Sequence, residues 1–525
     1  MTIIFRVHSP SESLIEPTQN LVLLESSDWD DFSFKTSFQA FVYDSLGQRS
    51  LLGTVKIGYP GQSHGWTLQQ IPKHFVDLPP GWFSIGQDVD YYRKIREKLT
   101  LEDGNILLRA LGDAVDDDRL LKVAQDEPVF RKSLMRDVSL SVIYGQFRRV
   151  LAGHVMLTEF RFRYFDPGDE QNASIDIDFR VKPASKPSTN VHVMIGRNGV
   201  GKTTMLNNMV GAILPQQDAD IARGHFYVKD EWGDEWISLP ADYFSSVVSV
   251  SFSAFDPFIP PADQPDRSRG LAYFYIGMKK ARSDIADSIQ QPPKTTLDLC
   301  NDFIESLKSC FSQPEKRDRW LTAITRLESD SNFADISLRQ LIEIDMVADP
   351  ELQLAQSLFI NMSSGHSVVL LTITKLVDTV EEKTLVLMDE PESHLHPPLL
   401  SAFTRALSDL LNNRNGVAII ATHSPVVLQE VPRSCAWKLT RLRSQGRSDR
   451  PEGETFGENV GVLTREIFGL EVSKSGFLDM LQHAVNEGGS FENIMDEYDD
   501  QLGFEAQAIL RTLIATRDKV RTSQQ

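Results

Sequence analysis

Ten consecutive residues near position 200 have the types and spacing of a phosphate-binding loop. The segment 194–203 is Met-Ile-Gly-Arg-Asn-Gly-Val-Gly-Lys-Thr, and the pattern G-x-x-x-x-G-K-[ST] is filled by Gly196, Gly201, Lys202 and Thr203. Glycines let consecutive backbone N–H groups turn toward a phosphate, and the following helix directs its positive end at the same point. In such a loop the lysine reaches the β- and γ-phosphates and the threonine hydroxyl ligates Mg²⁺. The pattern predicts a site for a nucleoside triphosphate.

Further polar residues follow apolar runs in the second half of the chain. Residues 384–388 form an apolar run suited to a buried strand, and it ends in Asp389-Glu390-Pro391. An acid at that point can hold the Mg²⁺ shell, and a neighbouring carboxylate can polarise an attacking water. A third apolar run, 416–421, ends in Thr422-His423-Ser424-Pro425. Asp389, Glu390 and His423 are therefore the candidate metal-binding and catalytic residues.

Small residues also precede an apolar helical run over 367–380. The segment 361–366 is Asn-Met-Ser-Ser-Gly-His, and such residues before a helix form an anion cradle. In chain order the sequence thus has a phosphate loop, a Ser/Gly helix start, an Asp-Glu strand end and a strand with a terminal histidine. Together these motifs resemble the ATP-binding-cassette (ABC) ATPases over about residues 156–442.

The resemblance implies a role for each candidate residue. Asp389 and Thr203 correspond to Mg²⁺ ligands, Glu390 to the catalytic base and His423 to the histidine that senses the γ-phosphate. The implied ATP-binding residues are Asn198, Gly199, Gly201, Lys202, Thr203, Thr204, Ser363, Ser364 and Gly365. The last three stand where the family has its Leu-Ser-Gly-Gly-Gln signature, which closes over the γ-phosphate of the opposite protomer. The resemblance therefore implies ATP and Mg²⁺ as cofactors, and hydrolysis only in a head-to-tail dimer or higher oligomer.

The chain departs from the family pattern at two places. Ser364 and His366 replace the third and fifth signature residues. The glutamine expected after the next strand is absent, because residues 247–251 run into Phe-Ser-Ala-Phe-Asp-Pro, and Ser253 is the expected substitute for it. His394 and His396 alternate as metal ligands do, but they lack a cysteine or second cluster nearby, so we interpret their segment as a loop at the dimer seam.

Composition sets the broad class of protein. The chain has 525 residues, of which 41% are hydrophobic and 24% charged, which predicts a globular protein of two or three domains. No apolar run reaches the roughly 18 residues of a membrane span, and the first residues show no secretory signal. The three cysteines, Cys300, Cys310 and Cys435, lack C-x-x-C spacing and fit reduced thiols. These features predict a cytoplasmic protein without a membrane partner.

The net charge of −19 disfavours nonspecific nucleic-acid binding by the whole surface. One local basic segment is the exception, and it consists of Arg433, Lys438, Arg441, Arg443, Arg447 and Arg450. Two interpretations stay open for it: a solvated hairpin, or a contact with a phosphate backbone.

The predicted fold class is α/β, with an ABC-type P-loop ATPase head and an N-terminal α+β domain. The head should contain a mixed sheet with helices, an antiparallel β subdomain and an enlarged helical subdomain. The predicted divisions are an N-terminal partner-contact domain (1–152), an ATPase lobe with the phosphate loop (153–256), a helical insertion (257–358), an ATPase lobe with the signature and both strand ends (359–442), and a C-terminal helical region (443–525). Strands are expected over 160–165 and 175–181, and helices over 89–99, 297–311, 317–327 and 338–347.

At a finer level, residues 388–397 and 421–425 resemble the stand-alone ABC ATPases of bacterial defence operons, in the RecF/SMC-like branch. These include the overcoming-lysogenisation-defect (OLD) group and the ATPase subunits of Septu, PARIS and retron systems. The sequence has no Toprim or His-Asn-His nuclease motif, so any nuclease would be a separate subunit. The resemblance implies a regulatory ATPase that controls a separate effector, a nuclease or a toxin. Alternatives are a RecF/SMC-like DNA-repair ATPase that binds DNA directly, and the ATPase subunit of a transporter.

Overall fold

A computed structural model describes most of the chain. The described residues are 3–9, 19–44, 46–152, 159–168, 174–214, 224–229, 235–253, 258–266, 270–281, 292–343, 352–442, 445–472 and 476–523. Their buried apolar side chains group into an N-terminal core, two cores on opposite faces of a central sheet, a small C-terminal core, and a minor N-terminal cluster of Leu21, Leu23 and Tyr43. No helix among these residues combines the length and apolarity that crossing a membrane requires.

The N-terminal unit is an α+β structure. Its strands are β1 (Ile4–His8), β2 (Leu21–Ser26), β3 (Phe34–Lys35), β4 (Ser37–Tyr43), β5 (Arg49–Gly58), β6 (Gly65–Trp66), β7 (His74–Phe75) and β8 (Phe83–Gly86). Its helices are α1 (Val89–Lys98), α2 (Leu101–Ala110), α3 (Asp118–Ala124), α4 (Leu140–Val142) and α5 (Arg148–Leu151). Six strands form one sheet in the order β7-β1-β2-β4-β5-β8, in which only β1 and β2 are parallel. The predicted N-terminal α+β unit and its helix over 89–99 are confirmed.

The ATPase region begins with strands that divide between two sheets. Its first elements are β9 (Phe160–Asp166), β10 (Ile175–Val181), β11 (Val191–Gly196), α6 (Lys202–Ile213), β12 (His225–Lys229), β13 (Trp236–Ser238), β14 (Ser246–Ser251) and β15 (Ala272–Gly277). β10, β9, β12 and β13 form an antiparallel sheet in that order. Apolar and polar side chains alternate along β10, as expected for a sheet with one buried face. The predicted antiparallel subdomain and its two opening strands are confirmed.

The rest of the chain supplies a helical layer, the remaining central strands and a C-terminal helical group. These elements are α7 (Thr296–Ser312), α8 (Pro314–Leu327), α9 (Ser331–Ala334), α10 (Gln353–Asn361), α11 (Ser364–Thr379), β16 (Thr384–Asp389), α12 (Pro397–Asn413), β17 (Val417–Thr422), α13 (Pro425–Gln429), β18 (Ala436–Leu442), β19 (Gln445–Asp449), α14 (Val460–Val472), α15 (Phe477–Glu487), α16 (Phe491–Glu497) and α17 (Phe504–Ser523). The helices predicted over 297–311 and 317–327 are confirmed as α7 and α8. The helix predicted over 338–347 is instead a short 3₁₀ segment, Leu338–Glu343, and residues 344–351 lie outside the described ranges.

The central sheet has seven strands in the order β15-β14-β16-β17-β11-β18-β19. All neighbours are parallel except β18 and β19. β11, β16 and β17 have six residues each, and all of these are buried because apolar cores lie against both faces of the sheet. Asp389 lies opposite Ala421 and Ser251 in the register. The carboxyl ends of these parallel strands therefore form one edge.

Buried ion pairs join the N-terminal unit to the ATPase region. Asp88, which caps α1, lies 2.6 Å from an Arg319 guanidinium nitrogen and 2.8 Å from one of Arg414. Lys316 lies 3.3 Å from a carboxylate oxygen of Asp137 and 3.3 Å from one of Asp378, near the end of α11. These carboxylates and cations are largely removed from solvent. The N-terminal unit is therefore joined to α8 and to the loop that precedes β17.

Replacing Asp88 by Ala is expected to lower the free energy of unfolding by about 3–5 kcal/mol, because two buried guanidinium groups lose their carboxylate. Burial opposes ionisation of Asp88, but the charges of Arg414 and Arg319 outweigh it and hold the pKa well below its usual value. A depressed pKa stabilises the fold above the unfolded-state pKa of about 3.9, and this stability is lost as pH falls further. The loss caused by Asp88→Ala should thus be constant from about pH 5 to 8 and shrink below about pH 4.

Urea denaturation followed by tryptophan fluorescence measures this loss. Asp118→Asn is the matched control, because it removes a solvent-exposed pair with Arg148 in the same unit. Equal stabilities of the Asp88→Ala and Asp118→Asn proteins at pH 7 would show that the buried pairs do not hold the units together.

Candidate functional site

The loop between β11 and α6 has the backbone of a phosphate cradle. Gly199 and Gly201 have φ angles of +79° and +99°, a region that favours glycine, and a Cβ on either residue would meet no atom within 4 Å. α6 begins directly after Gly201, so its unpaired N–H groups border this open space. Asn198 and Thr204 are exposed on either side of the loop. The loop therefore presents backbone donors to an anion.

The buried Lys202 side chain lies across the loop. Its ammonium donates to the carbonyl oxygens of Gly196 and Arg197 at 3.0 and 3.1 Å. Burial lowers the pKa of Lys202, while the charges of Glu390, Glu392 and Asp389 oppose that effect. A phosphate would provide this cation with a stronger acceptor than two carbonyls do.

Thr203 and Asp389 meet at the carboxyl edge of the sheet. The Thr203 hydroxyl donates to the Asp389 carboxylate, with oxygen separations of 2.9 and 3.1 Å. A hydroxyl and a carboxylate are hard oxygen donors of the kind that Mg²⁺ prefers, and Mg²⁺ is commonly shared with substrate phosphates. The donor set therefore fits Mg²⁺, with Thr203 and Asp389 as the residues that would hold it.

Glu390 and His423 also lie together at this edge. Their closest atoms, Glu390 Oε1 and His423 Nδ1, are 3.5 Å apart. Glu390 has a left-handed backbone with φ of +44°, a conformation that costs a non-glycine residue about 1–3 kcal/mol. Its N–H donates to the Ala421 carbonyl at 2.8 Å, which anchors this conformation to β17. The carboxylate and the imidazole therefore lie side by side at the edge of the sheet that carries Asp389.

Glu392 links the two strand ends, a role that the sequence patterns do not reveal. Its Oε1 accepts from the Thr422 hydroxyl at 2.6 Å and from the His423 N–H at 2.7 Å, and lies 3.1 Å from His423 Nδ1. The carboxylate is buried, and its Oε2 has no hydrogen-bond partner among the described residues. Its spacing, two positions after Glu390, is the signal that could have identified it. Glu392 is a positioning residue for His423.

We expect Glu392→Ala to lower the turnover number for ATP by about 10²-fold, because His423 and the end of β17 lose their common acceptor. Nucleotide affinity should change less than turnover, since the hydrogen bonds of Glu392 go to Thr422 and His423 and not to the phosphate loop. Glu392→Gln is the conservative partner: its amide oxygen can still accept from Thr422 and His423, so most activity should return. Steady-state kinetics that raise KM with an unchanged kcat would contradict a positioning role.

The signature residues lie at the start of α11. Ser363 caps this helix, and its Oγ lies 2.7 Å from His366 Nδ1. Ser363 and Ser364 are exposed. A Cβ on Gly365 would approach the His394 carbonyl oxygen to 2.4 Å, so glycine allows α11 to pack against the segment that follows β16. The predicted signature therefore forms an exposed helix start with two hydroxyls.

The structure describes only part of the region around Ser253, the expected substitute for the family's glutamine. Ser253 lies two residues beyond β14, next to the strand that carries Asp389, but residues 254–257 lie outside the described ranges.

The structure describes most of the basic segment, although Arg443 lies outside the described residues. Arg450 stacks on Trp437 and donates to the Ala436 carbonyl, and Arg447 lies 2.5 Å from Asp449. Both side chains thus engage their own chain, as in the hairpin interpretation.

Five features together define an ABC-type P-loop ATPase. They are the strand order, the loop before α6, the Asp-Glu end of β16, the histidine after β17 and the signature helix. A family model described as "AAA domain, putative AbiEii toxin, Type IV TA system" matches residues 319–429. Among solved structures, an ATP-binding cassette of an ABC transporter in its ADP conformation is 16% identical and covers 61% of this chain and 100% of its own, with a TM-score of 0.31. An SmcHead bound to the C-winged helix domain of ScpA is 12% identical and covers 56% and 98%, with a TM-score of 0.26. These scores are low, so the class rests on the strand order and the site.

A curated relative defines the family. Protein ea59 of Escherichia phage lambda is 45% identical over 519 residues, which cover 95% of this chain and 96% of that protein. The chain belongs to the family of protein ea59.

Proposed function

We propose that the chain hydrolyses ATP between two copies of itself and uses this ATP-dependent assembly to control a separate effector protein. One observation carries the proposal. Lys202, the Thr203–Asp389 pair and the Glu390–His423 pair are complete within one chain, whereas the signature hydroxyls lie exposed on another element. Exposed Ser363 and Ser364 are available to the γ-phosphate of a neighbour.

In this proposal each group has a distinct task. Lys202 and the N–H groups around Gly199 and Gly201 bind the phosphates. Thr203 and Asp389 would hold Mg²⁺, which would supply positive charge to neutralise the phosphates. Glu390 accepts the proton of the attacking water, and His423 orients the γ-phosphate. The signature of the second copy completes the donor set, and hydrolysis then separates the copies.

A dilution series tests the shared site. If two copies form it, turnover per chain rises with protein concentration, and ATP increases the fraction of dimers or higher oligomers seen by mass photometry. Turnover per chain that is constant down to concentrations where only monomers remain would overturn the proposal.

The effector part rests on the sequence, which resembles the ATPase subunits of bacterial defence systems and has no Toprim or His-Asn-His nuclease motif. The family model that matches residues 319–429 is described as an AAA domain, a putative toxin of a type IV toxin–antitoxin system, which associates this domain with such systems. The curated relative comes from a phage, and an ATPase carried on a phage genome could act with its effector against competing phages. We therefore infer a cytoplasmic regulator in an anti-phage system, with a nuclease or toxin as partner.

A plaque assay separates this role from direct DNA repair. Cells that express the chain with its neighbouring genes should resist some phages, and protection should be lost with Lys202→Ala or with deletion of the neighbour. Equal plaque numbers with wild type and Lys202→Ala would contradict the proposal. Salt-dependent duplex DNA binding by the isolated chain would favour the repair alternative instead.

A further inference from the structure

Three potential metal ligands from distant parts of the sequence meet beside the signature helix. Asp330 precedes α9, His366 lies in the first turn of α11 and His396 precedes α12. One ligand atom from each lies within 4.8 Å of the others, and this is the one such group among the residues described. We propose that these three side chains bind a divalent transition-metal ion of the zinc class.

The spacing of the ligand atoms supports this site. An ion with tetrahedral ligands at about 2.0–2.1 Å places neighbouring ligand atoms about 3.3 Å apart. His396 Nε2 lies 3.3 Å from Asp330 Oδ2, and His366 Nε2 lies 3.8 Å from Asp330 Oδ1. These two distances run to different oxygens of Asp330, and single ligand atoms of the three residues lie within 4.8 Å of one another, so binding requires them to approach by up to about 1.5 Å. Two imidazoles and one carboxylate leave a fourth position for water.

An unsatisfied nitrogen points to a missing partner. His366 Nε2 is buried and has no hydrogen-bond partner among the described residues. Buried polar atoms are rarely left in this state. His366 Nδ1 lies 2.7 Å from Ser363 Oγ, so an Nδ1–H donated to that oxygen leaves the Nε2 lone pair for a metal. The same pairing of a metal with an outer hydrogen bond is usual for histidine ligands.

Asp330 and His396 complete the site at a small structural cost. The Asp330 carboxylate is buried and also accepts from the Phe333 N–H at 3.0 Å. His396 is exposed, and its Nδ1 accepts from the Leu399 N–H at 3.3 Å. Metal binding at Nε2 moves the imidazole proton to Nδ1 and replaces this long bond by one to water.

A metal at this site would fix the state of the signature serine. With the ion on Nε2, the His366 proton is held on Nδ1 and is donated to Ser363 Oγ. The hydroxyl proton of Ser363 is then free to be donated to a phosphate oxygen. This consequence rests on the role proposed above for Ser363, whereas the metal site itself does not.

A Co²⁺ titration of the EDTA-treated full chain, without nucleotide, tests the site. We expect one ion per chain, with the visible absorption of tetrahedral or five-coordinate Co²⁺ and competition by Zn²⁺. Asp330→Asn and His396→Asn keep side chains that can cap their helices. Each removes a ligand, as does His366→Gln, so each should weaken binding by at least the roughly 10–100-fold that is typical of losing an outer-shell partner.

A control variant keeps this result specific. His483→Gln removes an exposed histidine outside the site and should bind Co²⁺ as the wild type does. Equal affinity in the wild type and the His366→Gln/His396→Asn double variant would overturn the proposal, as would loss of binding in His483→Gln. Melting curves without metal show whether each variant is folded.

The effect of the bound metal on Ser363 is tested by a separate measurement. Zn²⁺ should lower the ATP concentration needed for half-maximal dimerisation of the wild type and leave the His396→Asn protein unchanged. The same Zn²⁺ response in both proteins would overturn this link. Absence of ATP hydrolysis would contradict the proposed function alone, because the Co²⁺ titration does not depend on it.

Discussion

The Glu390→Gln protein is expected to bind ATP and Mg²⁺ but to hydrolyse ATP roughly 10²–10⁴-fold more slowly than the wild type. Glutamine keeps the size of the side chain and leaves Thr203 and Asp389 untouched, but it cannot accept a proton from water. Because the ATP-bound state would persist, the assembled oligomer should accumulate. Single-turnover hydrolysis and mass photometry measure the two effects in one sample.

Lys202→Ala is the matched comparison for this variant. It removes the ammonium that now bonds to Gly196 and Arg197, so ATP binding itself should be lost. The two variants should therefore differ in bound nucleotide although both fail to hydrolyse it. A Glu390→Gln protein with near wild-type turnover would mean that another group is the base.

Ser363→Arg is expected to spare ATP binding and to abolish both hydrolysis and ATP-dependent dimerisation. Ser363 is exposed at the start of α11, so a large cation there should leave the fold intact and obstruct a neighbouring phosphate site. Equilibrium binding of a fluorescent ATP analogue and turnover at high protein concentration measure the effect.

Mixing the Ser363→Arg and Lys202→Ala proteins should restore activity. In the mixed dimer, the intact phosphate loop of the first faces the intact signature of the second, which gives one working site. The other site carries both defects. Two inactive proteins that stay inactive when mixed in any ratio would exclude a shared site.

The central strands and the phosphate loop could be predicted because their signals are local. Buried parallel strands are continuous apolar runs, as in 384–388, and the loop after β11 has a fixed pattern of glycines. Helix starts were less exact: α11 begins at Ser364, three residues before the predicted run, because the Ser363 hydroxyl caps polar first-turn residues.

Contacts between distant residues could not be predicted in this way. Arg414 and Asp88 are 326 positions apart, and the carboxylate of Glu392 reaches residues 30 and 31 positions away. A lone charged residue has no periodic neighbours to indicate its partner. The sequence favoured a loop at the dimer seam for His394 and His396, and nothing in it indicated that His396 lies within 4.8 Å of ligand atoms of His366 and Asp330.

The buried ion pairs of Asp88 and Lys316 have a thermodynamic consequence. They tie the N-terminal unit to α8 beside the signature helix, and to the loop before β17, the strand that His423 follows. A ligand of the N-terminal unit that shifts these elements, and with them the nucleotide site, would alter the affinity for ATP. By reciprocity, ATP must alter the affinity for that ligand by the same factor. The coupling free energy between ATP and such a ligand could thus be measured by titrating either the nucleotide or the ligand.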